Sequence, residues 1–167
     1  MLHAAADRPE STAEFLLESL AKLSESGSQA QLSLELRARS SDADDRFDRD
    51  LAILAEFVTG LKSERVGICW DIAHDWENGG RITHLTPSVL DVINHVHLHD
   101  SRGASDVHGP LGYGAVPWQG AIRQLIDAGW EGAITLEIRY RYATERGDPW
   151  TVLSRNLLDV RAVLAGE

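Results

Sequence analysis

Four short stretches of this chain alternate bulky apolar residues with small or polar ones, and this alternation most constrains the fold. The sharpest is His95-Val96-His97-Leu98-His99-Asp100. A strand turns successive side chains to opposite faces, so His95, His97 and His99 share one face and Val96 and Leu98 the other. In Gln31-Leu32-Ser33-Leu34-Glu35-Leu36 the leucines oppose Gln31, Ser33 and Glu35. In Val66-Gly67-Ile68-Cys69-Trp70-Asp71 the bulky face opposes Gly67, Cys69 and Asp71, and in Ala133-Ile134-Thr135-Leu136-Glu137-Ile138 it opposes Ala133, Thr135 and Glu137. Glu35, Asp71, His97 and Glu137 therefore fall on the small-residue face, near the C-terminal ends of their strands. A buried carboxylate without a partner costs several kcal/mol, so four converging ligand types point to a bound cation.

Helical patterns separate the strands. Residues 11–26 carry Phe15, Leu16, Leu20 and Leu23 at helical spacing, with Ser11 and Glu14 as a capping box. The polar loop 40–45 leads to Phe47, Leu51, Leu54, Val58 and Leu61 at three- and four-residue spacing. Thr86-Pro87 opens a short helix over 88–94. A glycine-rich loop over 101–116 holds Asp106 and His108, and Pro117 begins a helix with Ile122, Leu125 and Ile126 inward. Asp148-Pro149 starts a last helix with Leu153, Leu157, Val160 and Leu164 as its stripe. Strands separated by helices pair in parallel through crossovers. A closed (β/α)8 barrel needs about 250 residues and eight such units. The 167 residues hold four. The expectation is one α/β domain over 1–167, half of a (β/α)8 barrel, with four parallel strands alternating with helices.

Composition narrows the function. A net charge of −10 argues against a nucleic-acid partner, whose phosphates are met by Lys and Arg, and Arg139 with Arg141 is the one basic pair noted. The single cysteine, Cys69, rules out an internal disulfide and suits a reducing compartment; it reads as a small buried residue. No apolar run approaches the ~20 residues of a membrane span, and the first ten residues lack a signal-peptide core, so a cytoplasmic location without membrane association is expected. His95 and His99 read as non-ligand residues, one packed deeper and one loop-facing, and Asp100 as a loop or cap residue.

Trp70-Asp71-Ile72-Ala73-His74, His95-Val96-His97-Leu98-His99-Asp100, Asp106-Val107-His108-Gly109-Pro110-Leu111-Gly112-Tyr113-Gly114 and Gly132-Ala133-Ile134-Thr135-Leu136-Glu137 occur in an order that resembles the xylose isomerase-like TIM barrels. That superfamily includes sugar-phosphate isomerases, epimerases and endonuclease IV. The resemblance covers strands five to eight, with Met1-Leu2-His3 similar to the tail of strand four, so strands one to four are absent. It implies Glu35, Asp71, His97 and Glu137 as ligands of a catalytic divalent metal. It further implies His74 as a substrate-binding or second-metal residue, Asp106 and His108 as further ligands to a second metal, and Arg102 at the substrate-binding place after the histidine strand.

The chemistry such a set serves is proton transfer beside a carbonyl. A cation polarises the sugar oxygens while two carboxylates, Glu35 and Glu137, remove and return the proton. Three carboxylates and one imidazole suit Mn²⁺, Mg²⁺ or Co²⁺, with Zn²⁺ also admitted. Three readings follow: a metal-dependent isomerase or epimerase of a sugar or sugar phosphate, a zinc phosphodiesterase on abasic DNA, or a non-catalytic half-barrel. Two open strand edges predict a homodimer or another association that completes the barrel.

Overall fold

The computed structural model describes residues 9–39, 46–103 and 108–166. Its four strands, β1 (Leu32–Glu35), β2 (Val66–Asp71), β3 (Ile93–Leu98) and β4 (Ala133–Leu136), form one sheet in the order β1-β2-β3-β4, with every neighbouring pair parallel. The helices are α1 (Pro9–Glu25), α2 (Leu51–Gly60), α3 (Ile72–Glu77), α4 (Pro87–Leu90), α5 (Trp118–Asp127), α6 (Tyr140–Thr144) and α7 (Pro149–Leu164).

The bulky face of the sheet carries the core. Leu34, Leu36, Ile68, Trp70, Val96 and Leu98 are fully buried, and they join one cluster with Leu54 and Val58 of α2, Ile122 and Leu125 of α5, and Val160 and Val163 of α7. Full burial of each such side chain contributes about 1.5–3 kcal/mol. This one-sided packing leaves the other face of the sheet to small and polar residues.

Pairing register staggers that polar face. Glu35 lies level with Cys69, whereas Asp71 lies level with His97, and His97 with Thr135. Asp71 and His97 thus stand level, with Glu35 two residues lower and Glu137 two residues higher in register, a stagger of the kind strand tilt in a barrel produces. Low on the sheet, Ser33 Oγ donates to Asn94 Oδ1 (2.8 Å), and Asn94 crosses directly over Gly67. A Cβ at Gly67 would come within 2.4 Å of the Asn94 side chain, which is why the strand carries no side chain there.

Several sequence expectations need correction. The first helix starts at Pro9, where a proline suits the first turn, so Ser11 lies inside the helix and the Ser11–Glu14 capping box does not mark its start. The helix expected over 88–94 is one turn, Pro87–Leu90, because β3 already begins at Ile93. Ile126, Leu157 and Leu164 were expected inward but are exposed, since no described element packs over this side of α5 and α7. They line an apolar groove of about 250 Å³ beside β4, together with Ile122, Trp130 and Ile134. The expectations for 40–45, for Met1-Leu2-His3 and for Asp106 lie outside the described residues.

Candidate functional site

Glu35, Asp71, His97 and Glu137 meet above the polar face of the sheet. One ligand atom from each lies within 4.8 Å of the others. His97 Nδ1 stands 2.8 Å from Glu137 Oε2, 3.2 Å from Glu35 Oε1 and 4.0 Å from Asp71 Oδ2. His97 Nδ1 and Glu137 Oε2 are closed to solvent, yet neither is aligned in a hydrogen bond despite their closeness. Three carboxylates and an imidazole crowded this closely fit a cation among them, with the His97 proton standing in for that charge. The donor set itself, three carboxylates and one imidazole, suits a hard or borderline divalent ion.

Local chain chemistry fixes each ligand. Asp71 is fully buried and doubles as the N-cap of α3, where its Oδ1 accepts from His74 N at 2.9 Å. His99 Nε2 approaches the same carboxylate at 3.1 Å. Glu137 N donates to Leu98 O (3.1 Å), which extends the β4 ladder to the ligand, and its side chain remains partly exposed on the open side.

Beside this set lies a second one. His74, His99 and His108 place one ring nitrogen each within 4.8 Å of the others. His74 Nδ1 pairs with the Leu36 carbonyl at 3.2 Å and His108 Nδ1 with the Glu137 carbonyl at 3.1 Å, bonds that orient an imidazole as metal sites require. His108 holds a left-handed backbone (φ 46°), a strained state for a non-glycine residue. His99 and His108 stack at 4.0 Å. On the other side, Cys69 and His95 offer atoms within 4.8 Å of a His97 nitrogen, and His95 Nε2 pairs with Thr135 Oγ1.

Close charges set the protonation states. Burial alone would lower His97, but Cys69, Glu137 and Glu35 against its ring push its pKa up to about 12. Burial would likewise lower His99, yet the Asp71 carboxylate raises it. Asp71 is pushed up by burial and brought net below the ordinary carboxylate range by His99 and His74. Contact with His97 lowers Glu137. Burial raises the Cys69 thiol.

Sequence reasoning gave His99 no part in the site, whereas it is fully buried and bonded to Asp71. The signal was present, because the strand's two-residue period carries past its last ladder bond. Asp100 organises the glycine loop, accepting from Ser101 N, Gly112 N and Val116 N at 2.8–3.1 Å. Arg102 lies over the Tyr113 ring, 4.0 Å from its centroid, and donates to Tyr113 O; it does not line the cavity at the metal-ligand cluster. That cavity, about 490 Å³, is lined instead by Arg37, Arg39, Arg46, Arg49 and Arg139 beside Glu35, His74, His108 and Glu137. Arg139 stood out in the sequence only as half of a basic pair and the other four were missed, since loop charges carry no periodic signature.

A parallel α/β sheet with its polar cluster at the carboxyl ends of the strands is the architecture of the barrel enzymes. The chain belongs to the xylose isomerase-like TIM barrel family, which residues 2–159 match. Fructoselysine 3-epimerase of Escherichia coli O157:H7 is 42% identical over 55 residues, 33% of this chain and 20% of that protein. The fold resembles a solved L-ribulose 3-epimerase (TM-score 0.75, 14% identity), covering 99% of this chain and 57% of that one. It also resembles the IOLI protein solved with a zinc atom (TM-score 0.68, 16% identity), covering 99% of this chain and 61% of that one. The chain thus spans a little over half the length of these solved structures, and its matched segment a fifth of the curated epimerase. No helix among the described residues is long and apolar enough to cross a membrane.

Proposed function

We propose that this chain carries the metal centre of a sugar isomerase or epimerase. The carrying observation is the convergence of Glu35, Asp71, His97 and Glu137, one ligand atom of each within 4.8 Å of the others. A divalent ion, Mn²⁺, Mg²⁺, Co²⁺ or Zn²⁺, held by these four residues supplies Lewis-acid polarisation of the substrate oxygens. Glu35 and Glu137 come from the first and last strands and flank the space between them, so one removes and the other returns the proton beside the carbonyl. His74, fixed at Nδ1 by the Leu36 carbonyl, contacts a substrate hydroxyl at the same cavity. The single buried cysteine and the absence of a spanning helix among the described residues support a cytoplasmic setting.

The test is solvent-deuterium incorporation at the sugar carbon beside the carbonyl. Glu137→Gln keeps the shape but loses the basic carboxylate, so exchange should fall about 10²–10⁴-fold while metal binding falls far less. Undiminished exchange removes Glu137 from proton transfer, and a wild type that binds no metal ends the reading.

The His74, His99 and His108 cluster favours a second reading, a zinc phosphodiesterase on abasic DNA in which His74, Asp106 and His108 hold additional metal. Two or more tightly bound zinc ions per chain, with cleavage of an abasic duplex, would select it. A chain that binds neither metal nor sugar would instead be a non-catalytic half-barrel.

The partner we infer is a second copy. β1 and β4 each have one unpaired edge, and Ile126, Leu157 and Leu164 are exposed beside β4. Sedimentation should show a dimer of the 18.4 kDa chain at micromolar concentration, and a stable monomer there contradicts it.

A further inference from the structure

Five arginines line the cavity over the metal-ligand cluster of a chain whose net charge is −10. Such a concentration of positive charge at one place on an acidic protein calls for an anion. We infer that the substrate is an anionic sugar derivative whose phosphate or carboxylate, remote from the reacting carbon, is held by Arg37 and Arg39. This rests on the metal-centre reading above and names the substrate class of that site.

The arginine-bearing backbone is braced before any ligand arrives. Asn78, at the end of α3, accepts from Arg39 N at 2.8 Å through its Oδ1. Its Nδ2 donates to the carbonyls of Arg37 and Arg49 at 2.9 Å each. One amide therefore pins three arginine positions against the same helix that His74 occupies. Arg37 N also donates to Asp48 O at 2.9 Å, which ties the segment leaving β1 to the 3₁₀ turn Phe47–Arg49.

The arginines differ in what they already serve. Arg49 is buried and ion-paired with Asp48 at 3.3 Å, so its charge is largely spoken for. Arg37 is half-buried and Arg39 exposed, and among the described residues neither guanidinium makes a hydrogen bond or ion pair. Guanidinium forks match phosphate and carboxylate oxygens in pairs. Glu35 and Glu137, the acidic wall of the cavity, are claimed by the cation. Apart from Glu35 and Glu137 the charged or titratable residues lining the cavity are arginines and histidines, and about 490 Å³ accommodates a small ligand that reaches from the cluster to Arg37 and Arg39.

The experiment uses the full chain with calorimetric titration. Four probes are compared with and without Mn²⁺: fructose, fructose 6-phosphate, gluconate and inorganic phosphate. In the Mn²⁺-loaded chain, fructose 6-phosphate or gluconate should bind at least about ten-fold tighter than fructose, and whichever of the two does so separates phosphate from carboxylate. Arg37→Ala combined with Arg39→Ala should abolish that preference while leaving Mn²⁺ affinity unchanged. Arg123→Ala combined with Arg161→Ala, which removes the same charge on α5 and α7, should leave it intact. Equal binding of charged and neutral sugars, no binding of any probe, or a preference that survives loss of Arg37 and Arg39 overturns the inference. An abasic DNA duplex that binds more tightly than every sugar overturns it in favour of the phosphodiesterase reading. Inorganic phosphate held by Arg37 and Arg39 in a chain that binds no Mn²⁺ would support the anion site and refute the metal centre alone.

Discussion

In the metal-centre reading proposed above, metal and proton compete for His97, so the metal-free chain should lose stability as pH rises while the increment added by metal grows and offsets that loss. In the metal-free chain His97 has its pKa pushed up to about 12, against an ordinary value near ~6.5. A raised pKa contributes stability that is fully present below the unfolded value and is lost as pH rises toward the folded one. Between those limits the folded state holds one more proton, so stability falls by about 1.4 kcal/mol per pH unit. From pH 7 to 8.5 that is about 2 kcal/mol, or a Tm lowered by roughly 4–8 °C for a domain of this size. His99, also raised, adds in the same direction. A bound metal needs the His97 lone pair, so binding expels the proton and apparent affinity rises about ten-fold per pH unit. The metal-free Tm should therefore fall from pH 7 to 8.5, while the Tm increment from Mn²⁺ grows. Calorimetric titration in two buffers of different ionisation enthalpy should count about one proton released per metal, and His97→Gln should abolish that release. A metal-free Tm that is flat or rises with pH, together with no proton release, would refute the reasoning.

Two further outcomes follow from the core. Burial and the nearby Asp50 and Asp71 charges raise Asp75 to about 6, although Trp70 Nε1 donates to it at 2.9 Å. This carboxyl favours its protonated form when folded, so its contribution is lost as pH rises from about 4 to 6. Asp75→Asn, which can still accept from Trp70, should stabilise the chain at pH 7.5 by about 1–3 kcal/mol and by much less at pH 4, as denaturant melts would show. Gly67→Ala should displace Asn94 and break its bond with Ser33, costing about 1–3 kcal/mol in the same melts.

The strands were legible because one-sided burial stamps a two-residue period on sequence, and the convergence of Glu35, Asp71, His97 and Glu137 was legible because they share its phase. Helix faces were less so. The spacing of Ile126, Leu157 and Leu164 marks an apolar stripe but not whether anything covers it, and here nothing in the described fold does. His99 was passed over because side-chain alternation outlasts the ladder bonds that define β3. Pro9 began the first helix ahead of the Ser11–Glu14 signal, since a proline at the first turn is itself a helix start. The arginine wall had no periodic trace, because Asn78, almost 40 residues from Arg39, holds it in place.

The stagger that sets Glu35 below and Glu137 above the level of Asp71 and His97 also bears on how copies of this chain could add to one another. In the association proposed above, a β4 edge that is unpaired among the described residues would meet a β1 edge of the next copy, a head-to-tail contact rather than a self-complementary one. Such a contact terminates only if the rotation it imposes returns the last edge to the first. With half a turn per copy the particle closes at two and stops growing. With any rotation that misses closure, each addition exposes a fresh edge and growth continues without a preferred size. The curvature of four strands thus decides between a ring and a fibre.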